Sequence, residues 1–197
     1  MANEYVTLEE FKAALQIGEG DTTDDAVAAL ALESASRAID DYCGRTFYGV
    51  ADTRRYTARD STFVMVDEFY DAGALMTDED GDGIMDTEWD APDNERWPRN
   101  AMSRGEPYRG IVVTLTGTKR FPLHRNAVEL SSTFGWVPCP PAIKQATFIL
   151  ASRLFKRRDA PFGVAGANAF GQLTVIRAED ADVMALITPY RRLEFAT

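Results

Sequence analysis

The sequence predicts an α+β fold: a helical bundle core with an inserted small antiparallel β lobe and an extended C-terminal arm. Capped helices with apolar faces occupy residues 1–44. Short segments rich in β-type residues alternate with turn signals through residues 45–136. A long apolar helix, a Gly-rich linker and a basic tail follow in residues 137–197. We therefore expect residues 1–44 and 137–197 to form the helical core with its arm, and residues 45–136 to form the lobe.

The composition is that of an ordinary globular protein. A chain of 197 residues, 45% hydrophobic and 26% charged, suits one domain that carries an insertion. Because no run approaches 18 uncharged apolar residues and the N-terminus is acidic, we expect no membrane span, no secretory signal and synthesis in the cytoplasm. Cys43 and Cys139 match no metal-binding spacing. In a cytosolic protein both are expected to be reduced thiols, and a disulfide between them is the alternative.

The net charge of −10 is unevenly distributed along the chain. Residues 1–100 carry 24 acidic and 8 basic residues, whereas residues 101–197 carry 7 acidic and 13 basic residues. The acidic half argues against ordinary duplex DNA binding, because such binding needs basic residues that neutralise phosphates. The asymmetry suits head-to-tail stacking on partners of opposite charge, and equally suits two halves with ordinary solvated faces.

The first two helices have recognisable ends. Thr7 and Glu10 match a capping box at the start of the first helix. Thr22 or Thr23 is expected to cap the second helix, and Gly44 is expected to end it. The second helix is rich in alanine and serine, and such small side chains let another helix approach closely, within the subunit or between subunits.

The middle of the chain predicts five strands and one long loop. Ile111–Thr116 and Ala127–Phe134 are the clearest strands, since apolar and polar residues alternate in the second of them. Residues 91–110 are rich in Pro, Asn, Gly and Arg and predict a long loop, which is often functional. Three weaker strands are predicted at Thr53–Thr57, Phe63–Val66 and Gly73–Met76.

The last third of the chain predicts the buried central helix. Pro140 and Pro141 stand where a helix can begin, and the apolar stripe that follows runs to about Asp159. Residues 162–171 predict a flexible linker. A short strand at Leu173–Arg177 and a short helix at Glu179–Ile187 are expected after the linker.

The acidic stretch DEDGDGIMDTE, residues 78–88, is the one group of residues whose pattern suits metal binding. Positions 1, 3, 5, 6 and 9 of a calcium loop are matched by Asp78, Asp80, Asp82, Gly83 and Asp86, and Ca²⁺ takes carboxylate oxygens. Position 12, the usual bidentate glutamate, is Trp89, and the flanks are predicted strands. The alternative is an acidic hairpin tip with glycine at positive φ. The predicted metal ligands are Asp78, Asp80, Asp82, Asp86 and Glu88.

The other candidate chemistries are weaker. His124 is the one histidine, and a lone histidine is more often structural than catalytic. Asp67, Glu68 and Asp71 suit a solvated strand end rather than an acid/base pair. We therefore expect no catalytic residues, no other cofactor and no enzyme activity. The basic residues at 156–158 suit the C-terminal, negative end of a helix dipole. Alternatively, they contact nucleic acid or the acidic residues of a partner.

An ordered series of segments, rather than any single motif, resembles a known family. The series runs from ASRAIDDYCGRTFY through the DEDGDG turn and GEPYRGI to FGWVPCPPAIKQAT, SRLFKRRDAPFGVAG and DADVMALITPYRR. In this order it resembles the head-to-tail adaptor (head-tail connector) proteins of tailed bacteriophages, especially siphoviruses of actinobacterial hosts. The resemblance covers nearly the whole chain.

That resemblance implies a helical core with a β insertion and a structural virion protein of the neck, assembled in the host cytoplasm. It implies a homo-oligomeric ring, generally of twelve subunits, beneath the portal protein. The ring would extend the DNA channel and receive the next head-completion protein. Viral double-stranded DNA would pass through the lumen without sequence-specific binding, and an acidic lumen would let it slide. The implied portal-contact arm contains Tyr190, Arg191, Arg192, Leu193 and Phe195.

Two other hypotheses stay open. One is a calcium-binding tail-completion protein, or another virion interaction module, without a portal contact; Asp80→Ala and Asp82→Ala would then abolish partner binding. The other is a hydrolase that uses the acidic cluster, which is disfavoured because no base lies near a nucleophile in the sequence.

Overall fold

The computed structural model describes residues 3–71, 73–157, 164–167, 173–175 and 180–192. The chain forms two compact units, one of residues 48–138 and one of residues 1–47 with 139–197.

The unit of residues 48–138 is a curled antiparallel sheet of seven strands. The strands are β1 (Val50–Tyr56), β2 (Phe63–Phe69), β3 (Ala74–Thr77), β4 (Thr87–Glu88), β5 (Asn94–Trp97), β6 (Tyr108–Val113) and β7 (Val128–Phe134). Their order is β4-β3-β7-β2-β6-β5, and β1 also pairs with β7. The register of β1 on β7 runs from Val50 opposite Phe134 to Tyr56 opposite Val128.

Strand β7 lies at the centre of this sheet because its sequence alternates strictly. Val128, Leu130, Ser132 and Phe134 are buried, and the residues between them are half-buried. This period of two puts one apolar face toward the core. The buried side chains of the sheet's core are Ala58, Val64, Val66, Phe69, Leu75, Trp89, Ile111, Val113, Phe121, Val128, Leu130 and Phe134.

The predicted fold class, a helical bundle core with a small β lobe, is wrong: the curled sheet dominates the structure. One strand predicted too short and one missed strand explain much of the error. Residues 50–52 of β1 were not predicted as strand, and β5 lies inside residues 91–110, which were predicted to be a loop. Both strands pair on one side only, with β7 and with β6. Edge strands need few apolar residues, so VADTRRY and NERW carry a weak strand signal.

The unit of residues 1–47 and 139–197 is mainly helical. Its helices are α1 (Leu8–Ala14), α2 (Asp25–Cys43), α3 (Pro141–Lys156) and α4 (Ala181–Ile187), and its two strands are β8 (Val164–Ala167) and β9 (Leu173–Val175). Helix α2 packs against α3, and α3 packs against α4. Phe11 of α1 is fully buried and meets Phe148 and Phe155 of α3 edge-on, at centroid distances of 5.7 and 5.9 Å.

The ends of these helices partly follow the prediction. The capping box of α1 is confirmed: the Thr7 hydroxyl accepts from the Glu10 amide at 3.1 Å, and the Glu10 carboxylate accepts from the Thr7 amide at 2.9 Å. The predicted threonine cap of α2 is wrong, because Asp24 is the N-cap residue. The Thr23 amide donates instead to the Asp21 carboxylate, in a local turn that competes with capping.

Helix α3 ends earlier than predicted. It ends at Lys156 with Arg157 as the capping residue, whereas the predicted end, Asp159, lies outside the described residues. Strand β8 lies within residues 162–171, which were predicted to be a flexible linker. Among the residues that the structure describes, no helix is both long and apolar enough to cross a membrane.

Candidate functional site

The acidic loop, residues 78–86, joins β3 to β4. The two strands form a short antiparallel hairpin in which Met76 lies opposite Glu88 and Thr77 lies opposite Thr87. The Asp78 amide donates to the Ala127 carbonyl at 3.0 Å, which ties the start of the loop to the residue before β7. The loop therefore projects from a hairpin whose base is held in the sheet.

Asp78 organises the acidic loop from inside. Its side chain is buried and accepts hydrogen bonds from the amides of Gly81 at 2.7 Å and Gly83 at 2.9 Å. Both glycines have positive φ, +83° and +90°, which a residue with a Cβ rarely adopts. Burial raises the pKa of the Asp78 carboxyl, but the two amide hydrogen bonds and the nearby His124 outweigh it, and the pKa falls below its usual value.

Three of the five predicted metal ligands lie together. One carboxylate oxygen from each of Asp78, Asp80 and Asp82 lies within 4.8 Å of the other two. Asp80 accepts from the Asp82 amide at 3.2 Å, and Asp82 accepts from the Ile84 amide at 2.8 Å. A carboxylate oxygen has two lone pairs, so these bonds leave capacity for a hard cation such as Ca²⁺.

The other two predicted ligands do not join this group. Within the part of the chain that the structure describes, only Asp78, Asp80 and Asp82 form such a cluster. Asp86 is exposed and accepts from the Thr87 hydroxyl at 3.2 Å, and Glu88 is an exposed residue of β4. His124 Nε2 lies 3.6 Å from the Asp78 carboxylate, which places the lone histidine beside the loop rather than beside a nucleophile.

The C-terminal segment contacts its own subunit as far as Arg192. The Tyr190 ring meets Phe47 edge-on at 5.9 Å, and the Arg191 guanidinium lies 5.5 Å from the ring centroid of Tyr42. The Arg192 amide donates to the Cys43 carbonyl at 2.7 Å, at the end of α2. The predicted arm residues Tyr190, Arg191 and Arg192 therefore have contacts within their own subunit, and their portal contact stays a prediction. The predicted arm residues Leu193 and Phe195 lie outside the described residues.

Sequence reasoning missed an exposed surface, the basic–aromatic edge, made of Phe63, Met65, Trp97, Arg99, Arg104 and Arg109. Trp97 meets Phe63 edge-on at 5.7 Å, and the Arg109 guanidinium lies 5.5 Å from the Trp97 centroid. Met65 is 60% exposed and Trp97 is 40% exposed. The signal was present in ERWPR and EPYRG, where arginines alternate with aromatic residues, but these stretches were predicted to be loop.

Neither the protein-family models nor the curated proteins compared with this sequence match it. Solved structures do match along nearly its whole length. A chain in the neck of an empty GTA particle, computed with C6 symmetry, has a TM-score of 0.60 and 23% identity over 98% of this chain and 92% of that one. A chain in the virion of a native gene transfer agent (GTA) particle has a TM-score of 0.56 and 22% identity, with the same coverage. At these identities the likeness establishes a shared fold.

Proposed function

We propose that this chain is a structural component of the neck of a phage-like particle, where copies of it assemble into a ring. In the finer proposal it is a head-to-tail adaptor, a ring of twelve copies beneath the portal. The ring extends the DNA channel and receives the next head-completion protein. The protein is assembled in the host cytoplasm and resides in the virion.

The fold shared with a chain of a particle neck is the observation that carries this proposal. The match spans 98% of this chain and 92% of the neck chain, so it involves nearly all of both chains rather than one common motif. That neck was computed with C6 symmetry. A ring of twelve copies is compatible with a six-fold axis, as is a ring of six. The ordered sequence segments that resemble adaptor proteins support the same role independently.

The surface charge also supports passage of DNA through a ring. The chain as a whole carries a net charge of −10, and its first 100 residues carry 24 acidic against 8 basic residues. Acidic side chains repel phosphates, so a ring of such subunits does not hold the duplex in place. We therefore propose that viral double-stranded DNA passes through the lumen without sequence-specific contacts.

Electron microscopy of the purified protein mixed with portal rings tests the proposal. We expect an additional ring of density on one end of each portal ring. The matched control is the same mixture after the protein has been unfolded and removed by centrifugation, which should leave portal rings bare. Intact, folded protein that never decorates portal rings would contradict the adaptor role. Monomeric behaviour of the protein alone would not, because the portal is expected to template the ring.

A second candidate function follows from the clustered carboxylates of Asp78, Asp80 and Asp82. In this proposal the chain is a calcium-binding tail-completion protein, or another virion module, that makes no portal contact. It predicts that Asp80→Ala with Asp82→Ala abolishes partner binding. The control Glu79→Ala with Asp90→Ala makes the same change of charge beside the cluster and should retain binding. Portal decoration by the Asp80/Asp82 variant would reject this candidate and leave the adaptor role standing.

A further inference from the structure

The basic–aromatic edge lies at one end of the seven-stranded sheet. It is built on β5, which pairs with β6 and leaves its other side without a strand partner among the described residues. The Phe63 ring covers Gly110, where an added Cβ would lie 2.7 Å from that ring. Phe63 in turn supports Trp97, so the indole is held outward on a packed aromatic base. This is an ordered apolar surface that the unit itself does not bury.

One arginine lies against the exposed Trp97, and two more exposed arginines follow it in the sequence. Arg109 lies against the Trp97 ring, and the Arg99 side chain is 82% exposed and lies 3.8 Å from Glu95. Arg104 is exposed in the 3-10 helix Met102–Arg104, which connects β5 to β6. Exposed tryptophan and arginine together are the residue types that dominate the binding energy of protein interfaces.

The acidic loop belongs to the β3–β4 hairpin, whereas the basic–aromatic edge is built on β5. The sheet is curled, so β4 and β5 approach each other: the Lys119 ammonium donates to the Glu88 carbonyl of β4 and lies 3.4 Å from the Asp93 carboxylate, just before β5. Among the described residues, Asp80, Asp82 and Asp86 form no ion pair with any base of this chain. Arg55 reaches the loop through the Gly83 carbonyl, and Lys119 donates to the Glu88 carbonyl of β4, next to the loop.

We infer that the basic–aromatic edge of one copy binds the acidic loop of the next copy. The two surfaces are opposite in charge and are built on different elements, the β5–β6 pair and the β3–β4 hairpin, so one copy can present its edge to one neighbour and its loop to the other in a head-to-tail interface. Head-to-tail interfaces of this kind generate closed rings when the rotation between copies closes. Trp97 and Met65 supply the apolar anchor, and the arginines set orientation against the aspartates. The inference rests on the proposed ring and names the contact that builds it.

A second copy is favoured over nucleic acid as the occupant. Duplex DNA also seeks exposed arginines, but a chain with a net charge of −10 repels it over the rest of its surface. The acidic loop has the opposite requirement: among the described residues, Asp80, Asp82 and Asp86 pair with no base, and the arginine-rich edge supplies such bases. Both requirements are met by one contact between copies.

Sedimentation velocity at low and high salt tests this contact with reciprocal charge reversals. The edge variant is Arg99→Glu with Arg104→Glu, and the loop variant is Asp80→Lys with Asp82→Lys. We expect wild-type protein to self-associate at low salt and each variant alone to do so at least about tenfold more weakly. An equimolar mixture of the two variants should associate again, because each altered surface then faces its complement. Arg59→Glu with Arg125→Glu is the charge-matched control and should behave as wild type.

Each outcome decides the inference. Association that the edge and loop variants retain would overturn this interface while leaving the ring itself standing. If wild-type protein stays monomeric at every salt concentration, the same variants are compared on portal rings, and decoration that both variants retain at the wild-type level would overturn the interface. Duplex DNA is added to the wild type and to both variants. If only the edge variant fails to bind it, nucleic acid rather than a second copy occupies the edge. Circular dichroism checks that each variant is folded, and Asp86→Lys with Glu88→Lys substitutes for a misfolded loop variant.

Discussion

The indole of Trp89 lies flat on the ring of Phe121, with centroids 4.4 Å apart and ring planes inclined by only 7°. Its Nε1 donates to the Thr77 hydroxyl at 2.9 Å, across the base of the β3–β4 hairpin. Trp89 occupies the place where a calcium loop of the EF-hand type has its bidentate glutamate. In this chain that position anchors the base of the hairpin in the core by packing.

Trp89→Ala should destabilise the protein strongly. The change removes a buried indole and its hydrogen bond, and large-to-alanine changes of buried aromatic residues cost about 3–5 kcal/mol. Trp89→Phe keeps a ring on Phe121 and should cost less, leaving mainly the unpaired Thr77 hydroxyl. Urea unfolding measures both free energies. An unchanged unfolding midpoint for Trp89→Ala would show that the hairpin does not depend on this anchor.

Asp71 should make stability depend on pH through its contacts with β7. The carboxylate accepts from the Ser132 hydroxyl, and from the amide and hydroxyl of Thr133 at 3.1 and 2.7 Å. Burial raises the pKa of Asp71, but these hydrogen bonds outweigh it and lower the pKa to about 2. A lowered folded-state pKa stabilises the protein above the ordinary value of 3.8, and this stabilisation is lost as the pH falls from 3.8 toward 2.

Asp71→Asn measures that contribution. Because the carboxylate is partly exposed, we expect a loss of about 1 kcal/mol near neutral pH, after allowing for screening by solvent. The gap between wild type and variant should narrow below the ordinary aspartate pKa, where the wild-type carboxylate is protonated in the unfolded chain. Asp90→Asn, at an exposed acid, is the control. A gap that stays constant from neutral to strongly acidic pH would refute the linkage.

Isothermal calorimetry with calcium tests the predicted metal site. If the aspartates of the loop bind Ca²⁺, the few protein ligands should give weak binding, with a Kd of about 10⁻⁴–10⁻³ M. Asp80→Ala with Asp82→Ala should abolish the heat, and Glu79→Ala with Asp90→Ala should preserve it. No heat at millimolar calcium would reject the metal and leave the hairpin tip as the correct interpretation.

Removal of residues 193–197 tests the proposed portal arm. We expect the shortened chain to lose portal decoration but to keep its thermal unfolding midpoint, because the Tyr190–Phe47 and Arg192–Cys43 contacts remain. Tyr190→Ala is the counterpart: it removes a ring contact within the subunit and should lower the midpoint. Portal decoration by the shortened chain at full-length affinity would show that the arm lies elsewhere.

Predictions that depend on residues close together in the sequence agree with the structure in three places. The Thr7 capping box spans three residues and is confirmed. Gly44 ends α2 in the left-handed conformation, with φ of 64°, as a glycine after a long helix predicts. The spacing of the acidic loop brought Asp78 and Asp80 close to each other, because a turn with glycines at positive φ folds back on itself.

Contacts between residues far apart in the sequence decided the features that local patterns did not predict. Asp67, Glu68 and Asp71 were predicted to form a solvated strand end, but Glu68 is buried and Asp71 bonds to Thr133, 62 residues away. No local pattern in the sequence indicates such a partner.

By itself the sequence determined the capping box of α1, the glycine end of α2, the central strand β7 and the acidic turn, because each follows from residues a few positions apart. The tertiary structure alone decided that the sheet dominates, that β1 and β5 are its edges, and that Trp97 faces outward. Edge strands have a neighbour on one side only, so their own residues carry little apolar periodicity. Their place is set by the register of β6 and β7, which segments distant in the sequence determine together.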